Sequence, residues 1–210
     1  MNSRTTPPGP PAAVAGRSEA PLLNIANALT VVRLVLVPVF IWLMLRPGDA
    51  VRLAAALVFA LAAATDRLDG QLARSRNLVT SFGKIADPIA DKALTLSAFV
   101  LLSVAGRLWW WVTVLIIVRE LGITLMRFVM LRRAVMAASR GGKLKTALQV
   151  TGIFGLLVPW AAFVPPVLAT ALDLVAYALV GSALVVTLVT GADYVLKALR
   201  LSRADPGGRP

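Results

Sequence analysis

Apolar residues run through this chain in six blocks divided by short polar breaks, and the lengths of the blocks say more than their number. Residues 1–20 show no periodicity, are rich in Pro, Ala and polar residues, and predict a disordered tail. That tail has no apolar core of the signal-peptide kind, so it is expected to remain uncleaved. Asn24 to Thr30 reads as an interfacial lead-in, and Ala28 to Leu45 as the first membrane span, kinked at Pro38. Arg46, Gly48 and Asp49 mark a short turn. The second block, Leu53 to Ala64, has 12 residues before Asp66, whereas a span takes about 20. Its helix is therefore predicted to continue through Asp66 and Asp69 to about Ala73. Ala93 to Gly106 is again short, with 14 residues, so the third helix is predicted to start near Asp87 or earlier. Arg107 closes a second short loop, and Trp109, Trp110 and Trp111 form an interfacial anchor opening a fourth span to about Leu131. A basic loop follows (Arg132, Arg133, Arg140, Gly141, Gly142, Lys143, Lys145). The fifth span is placed at Thr146 to Val164, with Pro159 inside it and Pro165-Pro166 ending it, and the sixth at about Ala169 to Leu196.

The expected fold is thus all-α, a polytopic membrane bundle of six transmembrane helices over residues 21–200, with residues 201–210 as a second tail. Composition agrees. Hydrophobic residues make up 58% of the chain and charged residues 15%, with a mean hydropathy of +0.79, more than a soluble core of this size needs. Basic residues outnumber acidic ones 22 to 10. They lie between apolar runs and not on one soluble face, which favours anionic lipid over nucleic acid as their partner. With six spans, Arg46, Arg52 and Arg107 fall outside and the other 19 basic residues inside. Both termini and the Asp-rich segment are then cytoplasmic, in a multi-pass protein of the cytoplasmic membrane. No Cys or His is present, which excludes disulfides, thiolate nucleophiles and imidazole catalysis. Protons must be handled by Asp, Glu, Lys or Arg.

Four of the ten acidic residues, Asp66, Asp69, Asp87 and Asp91, fall within 26 positions. Spacings of three and four put each pair on one face of its helix. An unpaired Asp costs about 2.5–3.5 kcal/mol at the centre of an inserted helix and less near the interface. Four carboxylates at a shared depth repel one another unless a cation joins them. Two helix ends with two carboxylates each can form the oxygen-ligand pocket that hard divalent cations such as Mg²⁺ or Mn²⁺ prefer.

Written out, the segment is Asp66, two residues, Asp69-Gly70, two residues, Ala73-Arg74, eight residues, Gly83, three residues, Asp87, three residues, Asp91. It resembles, at every defining position, the signature of the CDP-alcohol phosphatidyltransferases, and the resemblance extends over about residues 22–200. Asn24 to Phe40, Asp87 to Lys92, Val118 to Leu121 and Gly141 to Thr146 are most similar to the phosphatidylglycerophosphate synthase branch, of actinobacterial type. The resemblance implies transfer of the phosphatidyl group from CDP-diacylglycerol to sn-glycerol 3-phosphate, giving phosphatidylglycerophosphate and CMP, by a homodimer. It implies two divalent cations on Asp66, Asp69, Asp87 and Asp91, with Asp91 also the general base. Asn27, Thr30, Gly70, Arg74 and Thr80 match family positions around the CDP-alcohol. Gly70 lets the nucleotide approach the helix backbone, and Arg74 can fork onto phosphate oxygens.

For the acceptor phosphate the candidates are Arg119, Arg127, Lys143 and Lys145, because a dianion at the membrane edge needs several cations. Arg119 with Glu120 could equally be a buried structural pair, and Lys143 with Lys145 a topology determinant. Arg33 is expected to snorkel to lipid headgroups. Asp173 and Asp193 are read as structural, Asp173 as an N-terminal cap of the last span. Gly152, Gly155 and the Gly181-Ser182 pair read as packing surfaces, as do the alanines of the second span. Competing readings are a cardiolipin synthase of the same family, with phosphatidylglycerol as acceptor, and a cation channel or carrier with an acidic filter.

Overall fold

The computed structural model describes the backbone of residues 25–75, 81–130 and 140–204, and within these the side chains of residues 28–66, 89–125 and 144–192. The two tails predicted at the chain ends lie largely outside the described residues. Those residues form six α-helices and no strand: α1 (Ile25–Met44), α2 (Asp49–Ser75), α3 (Ser81–Val104), α4 (Trp110–Met130), α5 (Arg140–Leu157) and α6 (Pro166–Ala204). A single 3₁₀ turn, Trp160–Ala162, precedes α6.

Both short apolar blocks continue into helix through their aspartates, as their lengths predict. α2 runs unbroken through Asp66 and Asp69, and α3 begins six residues before Asp87. The fifth helix needs correction. It starts at Arg140, so the basic residues Arg140, Lys143 and Lys145 and both glycines between them are helical rather than in a loop. It ends at Leu157, before Pro159, not beyond it. Proline restricts the residue before it and offers no N–H. With the C-terminus fixed there, a start at Thr146 would leave about 18 Å of helix, whereas a start at Arg140 gives about 27 Å. Pro166 opens α6 at the helix position that tolerates it best. Asp173 lies two turns further on, too deep to cap, and instead pairs with Arg107 at 2.6 Å.

Three tight connections gather at one end of the bundle. Gly48, at φ +110°, turns α1 into α2. Gly106, at φ +67°, closes α3 in a Schellman pattern: its N–H donates to Ser103 O, and that of Arg107 to Leu102 O. Arg52 Nε donates to Leu157 O at 3.2 Å, tying the start of α2 to the end of α5. Tyr177 on α6 donates its hydroxyl to Arg107 O at 2.7 Å.

Each helix buries one stripe. Val37 and Phe40, Ala55, Ala56, Phe59 and Ala62, Leu94, Ala98, Phe99 and Leu102, and Val112 and Ile116 share one core with Ile153, Leu156, Ala176 and Val180. Small residues set the approaches, as their spacing predicts. A Cβ at Gly152 would stand 2.8 Å from Val180 Cγ2, and one at Gly155 2.7 Å from Ala176 Cβ. Gly181 differs from expectation: among the described residues nothing lies within 4 Å of its Cβ position, and it is exposed. The exterior is apolar as well, with Val35, Leu57, Val118, Leu125, Val167 and Val189 exposed. One helical stretch among the described residues, Pro166–Ala192, is long and apolar enough by itself to cross a membrane; Ala28–Met44 and Leu144–Leu157 are shorter apolar stretches.

Candidate active site

At the end of the bundle away from the three connections, the same inward stripes turn polar. On α1, Val37 and Phe40 are followed towards the N-terminus by Arg33 and Thr30, at spacings of four and three, and both are almost fully buried. On α4, Val112 and Ile116 lead to Glu120 at steps of four. On α5, Leu156 and Gly152 lead back to Gln149 and Lys145, and on α6 Val180 and Leu184 lead to Thr187. Because the spacing stays helical, each polar side chain points where the apolar ones above it point.

Asp66 forms an ion pair with Arg33, whose Nη1 lies 2.8 Å from its Oδ1. Arg33 is completely buried, which corrects the expectation that it reaches lipid headgroups; the carboxylate on the neighbouring helix holds it inside. Asp66 remains about a third exposed, at 35% of its side chain. Thr65 satisfies its own buried hydroxyl by donating to Ala62 O at 2.8 Å. Asp91 is half-buried on α3. Asp69, Gly70, Arg74 and Asp87 lie on the helical backbone, but their side chains, like those of Asn27, Arg127 and Lys143, are outside the described residues, as is the whole of Thr80. Among the described residues no group of three metal-ligating side chains assembles.

The described half of the acceptor set does come together. Glu120, 3% exposed, accepts from Lys145 Nζ on one carboxylate oxygen and from Lys92 Nζ on the other. Arg119 Nη1 donates to the same carboxylate at 3.0 Å. Arg119 also fastens α4 to α6, donating from Nε to Thr187 O at 2.9 Å and from Nη2 to Thr190 Oγ1 at 2.7 Å. Its stem passes over Gly191, where a Cβ would come within 3.2 Å of Arg119 Cγ. Three cations share one buried anion, and the excess positive charge stands at the polar end of an otherwise apolar core. Two further buried atoms, Gln149 Nε2 and Thr187 Oγ1, have no hydrogen-bond partner among the described residues.

The buried Arg119–Glu120 pair is present as one of the two sequence readings expected, whereas no role at this site was expected of Lys92 or Arg33. The signals were present: Arg33 continues the Val37 and Phe40 stripe, Glu120 continues that of Val112 and Ile116, and Lys92 follows Asp91 directly. Trp109, Trp110 and Trp111, at the start of α4, are all more than half exposed.

Comparison with known proteins is consistent with this arrangement. A protein from Mycobacterium tuberculosis named "Probable phosphatidylglycerophosphate synthase" is 48% identical over 93% of this chain and 88% of its own length. Proteins named "CDP-diacylglycerol--glycerol-3-phosphate 3-phosphatidyltransferase" are 37% identical in Bacillus subtilis, over 65% of this chain and 78% of theirs, and 40% in Escherichia coli K12, over 64% and 76%. The sequence model of the CDP-alcohol phosphatidyltransferases matches residues 23–193, which takes in five of the helices and most of α6, and the chain therefore belongs to the CDP-alcohol phosphatidyltransferase family.

Proposed function

We propose that the chain transfers the phosphatidyl group of CDP-diacylglycerol to sn-glycerol 3-phosphate, yielding phosphatidylglycerophosphate and CMP. The observation that carries this reading is the similarity to relatives bearing the names of that activity, over 93% of the chain for the mycobacterial protein and about two thirds of it for the Bacillus and Escherichia ones. The geometry supports it. Asp66 and Asp91 flank the polar end of an apolar bundle, and the cations Lys92, Arg119 and Lys145 gather at that same end around Glu120.

The acceptor hydroxyl attacks the phosphorus that bears diacylglycerol, a new P–O bond forms, and the P–O bond to CMP breaks. Asp91 takes the hydroxyl proton, as a base within hydrogen-bond reach must. Arg74 and the open backbone at Gly70 hold the nucleotide diphosphate, with Asn27, Thr30 and Thr80 around it. Arg119 and Lys145, with Arg127 and Lys143 on the same helices, attract the acceptor's phosphate. The carboxylates of Asp66, Asp69, Asp87 and Asp91 are the hard oxygen donors that Mg²⁺ or Mn²⁺ requires, and both described members are partly accessible. Two such ions, when bound, would neutralise charge on the attacked phosphorus and the departing CMP.

The enzyme works as a homodimer in the cytoplasmic membrane, its six helices spanning and its polar end on the cytoplasmic side. The apolar exterior, the exposed tryptophans and the excess of basic residues towards the polar end support this placement. Purified protein given CDP-diacylglycerol should release CMP with glycerol 3-phosphate, but not with phosphatidylglycerol or inositol phosphate, and EDTA should abolish the release. Asn at any of the four aspartates should lower turnover by about 10²-fold or more. CMP release that prefers another acceptor, or that survives all four Asn substitutions, overturns the reading.

A further inference from the structure

Glu120 has no place in the chemistry just described, yet its buried carboxylate holds three cations, Lys92, Lys145 and Arg119. It sits on α4 and ties together Lys92 of α3, Lys145 of α5 and, through Arg119, the carbonyl of Thr187 and the hydroxyl of Thr190 on α6. Lys92 follows Asp91 on α3, about 100° further round the helix. The Lys92 ammonium held against α4 therefore adds, next to Asp91, to the buried stripe Leu94, Ala98 and Leu102 in setting the rotation of this end of α3, and with it the direction of the Asp91 carboxylate. A carboxylate stands about 5 Å from its helix axis, so a rotation of about 10° displaces it by roughly 1 Å. A misplacement of that size can cost about 10²-fold in rate.

We infer that Glu120 is a positioning residue: a buried carboxylate that, by holding Lys92 and Lys145 on its two oxygens, aims Asp91 and the acceptor-side cations at one another. This rests on the proposed role of Asp91 in phosphatidyl transfer. Lys92 is the arm that acts on Asp91, and Lys145 the arm that acts on the acceptor phosphate. The two arms should separate kinetically, which a purely structural salt bridge would not do.

Lys92→Met is the decisive variant, because Glu120 keeps Lys145 and Arg119 and the buried charge stays compensated. Its kcat should fall about 10–100-fold, with the KM for CDP-diacylglycerol within about twofold of the starting protein's. Lys145→Met should instead raise the KM for glycerol 3-phosphate. Glu120→Gln should combine both effects, and adding Lys92→Met to it should lower kcat little further, since the arm is already released. Titration with Mn²⁺ alone, followed by loss of the free-ion EPR signal, reads the same geometry without turnover. Lys92→Met should bind the ion at least about fivefold more weakly, whereas a Mn²⁺ affinity within twofold of the starting protein's overturns the inference. That readout stands even if the starting protein proves inactive with glycerol 3-phosphate, an outcome that sinks the proposed acceptor and leaves Glu120 to be judged on Mn²⁺ affinity.

Discussion

Two glycines in the fold should respond to alanine with opposite sign. At Gly152 the added methyl would meet Val180 Cγ2 at 2.8 Å, Val180 N at 3.0 Å and Leu179 Cβ at 3.2 Å. Rotamer changes give little relief, because Val in a helix has one strongly preferred χ1, and the backbone nitrogen moves only if α6 moves. Overpacking of this kind costs about 1–3 kcal/mol, against a helix-propensity gain of up to about 1 kcal/mol for replacing Gly. The expected net loss for Gly152→Ala is about 1–2 kcal/mol. At Gly181 nothing lies within 4 Å of the Cβ position, so only the propensity gain of about 0.5–1 kcal/mol remains. For a chain of this size 1 kcal/mol moves the melting temperature by about 2–4 °C. Thermal unfolding of the detergent-solubilised protein, followed by circular dichroism, should place Gly152→Ala below the starting protein and Gly181→Ala at or above it. Gly152→Ala melting no lower, or Gly181→Ala melting lower, would refute the assignment of the α5–α6 seam.

Arg33→Met keeps the aliphatic stem but leaves Asp66 without its guanidinium. Because Asp66 is about a third exposed, the cost should stay near 1–2 kcal/mol, below the figure for a fully buried pair. Asp66→Asn should cost less in the Arg33→Met background than alone, as a double-mutant cycle on melting temperature would show; strictly additive losses would mean the pair does not couple. At the opposite end, Arg107 and Asp173 are each a little over a quarter exposed. Arg107→Met should cost about 0.5–1 kcal/mol, a loss that shrinks on going from low salt to about 0.5 M NaCl. A loss that does not depend on salt would point to packing of the arginine stem instead of charge.

The sequence alone determined that α2 and α3 run as unbroken helix through their aspartates. The apolar blocks before Asp66 and after Asp91 are too short to span, and a lipid-immersed backbone must satisfy its hydrogen bonds internally. It also determined the family, because the spacing of the four aspartates with Gly70, Ala73, Arg74 and Gly83 is a local pattern that can be read before any helix is packed. The tertiary structure decided what no local period encodes. Lys92 and Lys145 lie 28 and 25 residues from Glu120, Arg33 lies a full helical hairpin from Asp66, and Arg107 is separated from Asp173 by two helices. Helical periodicity says which face a residue occupies; which neighbour meets that face depends on the rotation and register of one helix against another. Those are set by the whole packed seam, including contacts as close as Gly155 to Ala176, and so they appear only when the helices are assembled.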